Sequence, residues 1–346
     1  MESLPSYSEL KNNLPLSDSQ RHFIEKSRQT VRDILNGIDR RLLLIIGPCS
    51  IHDPQSAKEF AYRLNLLKER ISPSFFPIMR TYFEKPRTGL GWKGFLYDPK
   101  LDGSYAMRSG IEATRQMLLD LASLEIPCAT EFLDPLTAFY YEDLIAWGSI
   151  GARTASSQIH RNLASALPMP IGFKNGVAGN ISAAVNGALA ATHPHPFIRL
   201  SDDGHPVITR TQGNPDTHIV LRVGESGPNY DPASVAEALN RLEDVKLPPR
   251  LLIDCAHHNS GKQHERQSLV FQSVIHQIIG GNYNIRGIMI ESHLRGGKQN
   301  LTSPPSLLQY GVSITDPCLD WDSSTRLIDW GLEHLQQQLS KLQASL

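Results

Sequence analysis

The sequence predicts an α/β fold, a (β/α)8 TIM barrel with an N-terminal helical extension and an inserted β-ribbon. Two observations carry that prediction. Eight short apolar runs recur along the 346 residues with helical periodicity between them, which is the alternation of a closed parallel barrel. Each run also ends on a residue that can hold an anion or a metal. Residues 42–46 run into Gly47-Pro48-Cys49, 75–79 into Arg80, and 125–130 into Glu131. Residues 149–152 lead to Arg153, 170–173 to Lys174, and 218–221 to Arg222. Residues 250–253 lead to Asp254 and His257, and 287–290 to Glu291. Barrel active sites gather at the C-terminal ends of the strands, so the same pattern locates the chemistry.

A barrel occupies about 250 residues, which leaves room for an extension and one insertion. Residues 1–40 read as an N-terminal arm and helix, and residues 41–346 as the barrel. The first 16 residues carry few apolar anchors and two prolines, Pro5 and Pro15, and read as an arm. A helix follows from Ser17 or Ser19, with Phe23, Ile24, Val31, Ile34 and Leu35 on one face and Gly37 as its stop. Asp53-Pro54 and Asp231-Pro232 supply an N-cap and a first-turn proline for two barrel helices. Asp134-Pro135 predicts a third, bearing Phe139, Leu144 and Trp147. The last helix starts near Ser323, with Ile328, Leu332, Leu335, Leu339 and Leu342 on its apolar face. Between the fifth and sixth barrel strands, residues 197–201 and 207–211 flank Asp202-Asp203-Gly204, the signal of a strand–turn–strand ribbon.

Lysines and arginines number 34 against 35 acidic residues, a net charge of −1. That balance argues against a nucleic-acid or membrane partner held by a general basic field. The N-terminus lacks the basic and apolar regions of a secretory signal, and no run approaches the roughly 20 apolar residues of a membrane span. Four scattered cysteines are too few for a disulfide scaffold, so a reduced, cytoplasmic setting is expected.

Two constellations could carry chemistry. Cys49, His257, Glu291 and Asp316 offer a thiolate, an imidazole and two carboxylates, a donor set suited to a divalent transition metal. Singly each has a plain structural reading: a buried thiol, a satisfied histidine, a cap. Their shared place at the rim favours a ligand set. The second constellation is basic: Arg80, Lys85, Arg87, Arg153, Lys174 and Arg222 lie at or just beyond four strand ends. In a chain of nearly neutral charge, that clustering predicts a local site for a substrate bearing phosphate and carboxylate groups. His193-Pro194-His195 resembles a metal motif but lies in a Pro-rich connection, and Arg295-Gly296-Gly297 reads as a rim loop.

At these residues the chain resembles the type I 3-deoxy-D-arabino-heptulosonate 7-phosphate (DAHP) synthases of the shikimate pathway. The resemblance rests on Gly47-Pro48-Cys49-Ser50-Ile51-His52-Asp53, on the stretch from Arg80-Thr81-Tyr82 through Lys85-Pro86-Arg87-Thr88, and on Gly151-Ala152-Arg153-Thr154. It continues through Gly172-Phe173-Lys174-Asn175-Gly176, His218 to Arg222, Glu291-Ser292-His293-Leu294 and Ser313-Ile314-Thr315-Asp316. It implies condensation of phosphoenolpyruvate with erythrose 4-phosphate, with release of phosphate. It implies one divalent metal ion (manganese, iron, cobalt or zinc) on Cys49, His257, Glu291 and Asp316. Arg80, Lys85, Ala152, Arg153, Lys174 and Arg222 match the phosphoenolpyruvate site with Glu131 beside it, and Arg87 and Thr88 match sugar-phosphate contacts. Lys85 is then expected to protonate the developing alkoxide, its pKa lowered by neighbouring positive charge. Glu131 and a network including His257 are alternative bases for the attacking water. A homodimer or homotetramer is the expected assembly.

The chain also departs from the family's common wording. It reads Thr154-Ala155-Ser156-Ser157 for Thr-Thr-Glu-Ser, Val177-Ala178 for Thr-Asp, and Ala256-His257-His258-Asn259 for Ser-His-Ala-Asn. Arg199 stands in the ribbon where regulated relatives often carry serine. The departures predict a diverged isoenzyme that is insensitive to phenylalanine, tyrosine and tryptophan. Two alternatives stand beside this: a related condensing enzyme with another aldose phosphate, and a non-catalytic regulatory paralogue.

Overall fold

The computed structural model describes residues 3–87, 89–225, 227–301 and 304–344, with side chains described through residue 338 at the C-terminal end. In chain order the strands are β1 (Leu42–Gly47), β2 (Phe75–Arg80), β3 (Cys128–Glu131), β4 (Trp147–Ile150) and β5 (Ile171–Lys174). Then come β6 (Pro196–Leu200), β7 (Pro206–Arg210), β8 (His218–Leu221), β9 (Leu251–Asp254) and β10 (Ile285–Glu291). All but β6 and β7 form one closed parallel barrel, with β1 hydrogen-bonded to both β2 and β10. β6 and β7 pair antiparallel with each other as the expected ribbon.

Side chains alternate along the strands, so each strand serves two cores. Leu43 and Ile45 of β1 point inward with Ile78, Ala129, Trp147, Val220, Leu252 and Met289 and fill the barrel. Leu42, Leu44 and Ile46 point outward into the larger core beneath the helices. Trp147 fits the interior because its indole Nε1 donates to His218 Nε2 at 3.0 Å, which satisfies the polar end of a buried ring.

The helices are α1 (Tyr7–Asn13), α2 (Asp18–Leu35), α3 (Pro54–Ile71), α4 (Met107–Ser123), α5 (Gln158–Ala166), α6 (Ser182–Ala191), α7 (Pro232–Asp244), α8 (Gln267–Ile279) and α9 (Trp321–Ala344). Asp53 and Asp231 cap α3 and α7 as their Asp-Pro pairs predict. α2 starts from a Ser17/Gln20 capping box, and its Val31, Ile34 and Leu35 join the interior cluster and so close the bottom of the barrel. In α9, Leu332 and Leu335 pack against the core, while the side chains of Leu339 and Leu342 lie outside the described residues.

Two expectations fail, each for a physical reason. The segment read as an arm contains α1, set by a Ser6/Glu9 capping box and held by buried Tyr7 and Leu10. The helix expected after Asp134-Pro135 is instead two single 3-10 turns, Ala138–Tyr140 and Glu142–Leu144, and Trp147 belongs to β4. Carbonyls that an α-helix would use are taken by arginines from elsewhere. Arg115 Nη1 donates to Tyr140 O at 2.8 Å, and Arg28 binds the carbonyls of Glu142 and Ile145.

Candidate active site

The rim encloses a cavity of about 500 Å³ at the C-terminal ends of the strands. Arg80, Lys85, Arg87, Glu131, Ala152, Arg153, Lys174, Arg222, His257, Glu291 and Asp316 all line it. Eleven of the residues singled out from the sequence therefore meet at one place, and Cys49 lies fully buried against them. Thr88, expected beside Arg87, lies outside the described residues.

Strand pairing assembles the donor cluster. Gly47 sits in register with Glu291, so the chain leaving β1 carries Cys49 alongside the end of β10. Ligand atoms of Cys49, Glu291 and Asp316 lie within 4.8 Å of one another, close enough to share one metal ion. His257 adjoins the trio, its Nε2 3.6 Å from Glu291 Oε1 and its Nδ1 3.0 Å from Asp254 Oδ2. His257 holds a left-handed φ of 59°, uncommon for a non-glycine residue, and that turn delivers its ring to the cluster. Burial raises the Cys49 thiol, and Glu291 and Asp316 add to the rise against Lys85 and Arg80.

Lys85 joins the two constellations. Its Nζ donates to Cys49 O at 3.0 Å and lies 3.2 Å from Cys49 Sγ. The expected lowering of its pKa is not found. Burial and Arg80 do work to lower it, but the Cys49, Glu291 and Asp316 charges prevail and hold it above the usual lysine range.

The anion wall is built on buried cations. Arg80 spans Pro48 O at 3.1 Å and Glu291 Oε1 at 2.9 Å, with its guanidinium 3.6 Å from the Tyr82 ring centre. Lys174 Nζ donates to Glu131 Oε2 at 3.1 Å and lies 4.9 Å from the same ring. Burial works to raise Glu131, but Lys174, Lys85 and Arg80 hold it below the usual carboxylate range, so it stays ionised. Gly151 is needed behind it, because a Cβ there would lie 2.3 Å from Glu131 Oε1. Arg222 is fixed through its backbone N–H, which donates to Asn175 Oδ1 at 2.9 Å. Its Nη1 is buried with no hydrogen-bond partner among the described residues. Arg87 is exposed and donates through Nε to Trp92 O at 2.8 Å, and Arg153 is exposed at the mouth.

Some contributors carry weaker signals in the sequence. Asp254 stands at the end of β9 with Oδ2 3.0 Å from His257 Nδ1; burial works against its charge, yet His257, Lys174 and Arg80 keep it well below the usual range. Tyr82, two residues past Arg80, is the ring that both cations share. Gln267 brackets Glu291, accepting from its N–H at 2.8 Å and donating to its carbonyl at 3.0 Å. No local spacing marks Gln267, which reaches the site only through α8 packing. His193 and His195 bond nearby backbone carbonyls and stand apart from the rim. Val177, His258 and Ser260 line both the rim cavity and an adjoining one of about 620 Å³ that also takes in Ala178.

This architecture has close relatives. The chain is 46% identical over 332 residues to the Tyr-sensitive phospho-2-dehydro-3-deoxyheptonate aldolase of Escherichia coli (strain K12), covering 96% of this chain and 93% of that one. It is also 46% identical to the Trp-sensitive enzyme of the same organism, over 95% of this chain and 94% of the relative. The structure of phospho-2-dehydro-3-deoxyheptonate aldolase from Francisella tularensis SCHU S4 superimposes with a TM-score of 0.95 at 40% identity, covering 98% of both chains. Residues 14–329 match the DAHP synthetase I family, and with these identities the chain belongs to that family.

Proposed function

We propose that the chain condenses phosphoenolpyruvate with erythrose 4-phosphate to give DAHP and phosphate, the first step of the shikimate pathway. The observation that carries this reading is the junction of two chemistries in one cavity. A metal-competent trio faces a wall of buried cations across Lys85. Phosphoenolpyruvate approaches a trianion at full ionisation, and Arg80, Arg153, Lys174 and Arg222 supply fixed positive charge for its phosphate and carboxylate. Ala152 shapes the wall beside Arg153. Arg87, with Thr88 next to it in the chain, is placed for the phosphate of the acceptor sugar.

The donor set fits a divalent ion such as manganese, iron, cobalt or zinc, because sulfur, nitrogen and oxygen ligands suit borderline metals. Cys49, Glu291 and Asp316 would hold it, with His257 completing the set. Bound there, such an ion supplies Lewis acidity toward an aldehyde oxygen. In the reaction, C3 of phosphoenolpyruvate forms a bond to the aldehyde carbon, and Lys85 gives its proton to the resulting alkoxide oxygen. Positive character then develops at C2, where water adds; loss of its proton and cleavage of the C2–O bond release phosphate and leave the ketone. Glu131 is a weak base because its pKa is depressed, so its role is to orient that water and fix Lys174. The proton that water loses passes into the network of Asp254, His257 and Glu291 around the donor set.

Ile198 and Ile208 support assembly as a homodimer or homotetramer. They pair across the ribbon and are 76% and 78% exposed, an apolar face suited to a second copy. Among the described residues all four cysteines are free thiols, in keeping with a reduced cytoplasm, and no helix is long and apolar enough to cross a membrane. The deciding assay measures phosphate release from phosphoenolpyruvate with erythrose 4-phosphate, with and without a chelator, against ribose and arabinose 5-phosphates. Chelator-sensitive release with erythrose 4-phosphate is expected. Faster release with a pentose phosphate would reassign the acceptor, and no release with any aldose would favour a non-catalytic paralogue.

A further inference from the structure

The barrel end opposite the rim carries a cavity of different character. It measures about 620 Å³ and lies among the end of α2, the start of β1, the turn before β2, α8, the start of β10, and α9. One side is apolar, from Ile278, Ile279 and Leu335, and the other carries Arg40, Arg41 and Arg286. Arg41 is already committed, since its guanidinium binds both oxygens of Asp39 and lies 5.4 Å from the Phe76 ring centre. Arg286 is not. Its Nε is buried without a hydrogen-bond partner, and neither Arg286 nor Arg40 has an ion pair among the described residues.

Two backbone features aim Arg286 at this space. The pairing of β10 with β9 shifts register between Ile285 and Gly287, which makes Arg286 the extra residue of a bulge. A bulge bends the strand and redirects a side chain that regular alternation would send elsewhere. Gly37, at φ 75°, then makes room for the guanidinium, because a Cβ there would lie 2.7 Å from Arg286 Nη2. A bulge and a close-approach glycine thus converge on one unpaired guanidinium beside an apolar wall.

The geometry points to a binding site at this end of the barrel for a small apolar carboxylate. Guanidinium forks match carboxylate oxygens, and Arg286 with Arg40 offers two of them. Ile278, Ile279 and Leu335 would cover the carbon skeleton. An amino acid fits less well, because Asp39, the acidic side chain of the lining, is already held by Arg41 and leaves its ammonium unmatched. Inorganic phosphate would leave the apolar wall facing water. The site touches the bases of β1 and β10, the strands whose far ends lead to Cys49 and Glu291.

Calorimetric titration of the full chain with phenylacetate tests this, with benzyl alcohol and inorganic phosphate as neutral and non-apolar controls. Wild-type protein should bind phenylacetate saturably, with a Kd of roughly millimolar or tighter. Arg286→Leu should weaken binding by at least about tenfold, the usual effect of losing a hydrogen bond to a charged group. Ile279→Trp, which fills the cavity and keeps Arg286, should abolish it, so a poorly folded Arg286 variant does not leave the question open. Arg222→Ala, at the opposite rim, should leave phenylacetate affinity unchanged. No saturable binding by wild type, wild-type affinity in both cavity variants, loss only on Arg222→Ala, or equally tight benzyl alcohol binding would each overturn the assignment.

Discussion

Lys85 touches the metal-competent trio through Cys49 and faces the anion wall, so its loss should affect chemistry more than binding. Lys85→Ala is expected to lower kcat by about 10²–10³-fold, the range for removing one preorganised charged group. The KM for phosphoenolpyruvate should change less, because Arg80, Lys174 and Arg222 remain. Steady-state phosphate release separates the two constants, and near-normal kcat would remove Lys85 from the reaction. Asp254 acts through a neighbour. Its Oδ2 lies 3.0 Å from Nδ1 of His257 without hydrogen-bond alignment, while Nε2 lies 3.6 Å from Glu291 Oε1. Asp254→Asn should weaken metal affinity by about 10–100-fold, as loss of an outer-shell carboxylate does. Equilibrium dialysis reads this without any turnover, and unchanged affinity would show that His257 needs no such guide.

At the scale of elements, α2 and the ribbon act on the barrel from outside it. Leu35 of α2 is buried in the interior cluster, so Leu35→Ala should cost about 2–5 kcal/mol in a urea unfolding series. A cost below 1 kcal/mol would mean that α2 covers the barrel without plugging it. On the ribbon, Arg199 lies 5.0 Å from the Phe139 ring centre and pairs with Asp202 at 3.6 Å, while Tyr7 of α1 packs on the same ring. Arg199 is thus engaged by the chain's own Phe139 and Asp202. Turnover should therefore be insensitive to millimolar phenylalanine, tyrosine or tryptophan, although the relatives include Tyr-sensitive and Trp-sensitive enzymes. Strong inhibition by any one of the three refutes this. The strands, their terminal residues and the ribbon were legible in the sequence because each strand is a short apolar run ending in a polar residue and the ribbon brackets a local Asp-Asp-Gly turn. The 3-10 turns after Asp134 were not, since Arg28 and Arg115 reach them from about 25 to 117 residues away. Most of the site was legible for the same local reason. Gln267 was not, because only the packing of α8 brings it to Glu291.

The whole molecule is a closed barrel with a rim that needs charge and an interior that excludes it, and this division fixes how it responds to acid. His218 shows the interior rule. It faces Trp147 inside the barrel, accepts the indole proton through Nε2, and directs Nδ1 to Asp216 O at 3.1 Å, so the neutral ring with its proton on Nδ1 satisfies both contacts. Burial, reinforced by Arg250, pushes its pKa down to about 3. An unfolded chain takes up that proton near pH 6.5, well before the folded one does. The unfolded state therefore binds more protons between these values. The stability that His218 contributes is complete above about pH 6.5, falls as the pH drops, and is fully lost below about pH 3. From pH 7 to pH 5 the loss amounts to about 2 kcal/mol for this one group. His218→Gln keeps an acceptor for the indole without a titrating ring, so its unfolding free energy should fall less over that interval by a similar amount. Urea unfolding of both proteins at pH 7, 6 and 5 measures the difference directly. Parallel pH dependence in wild type and variant would show that the interior histidine is not what makes the barrel acid-sensitive.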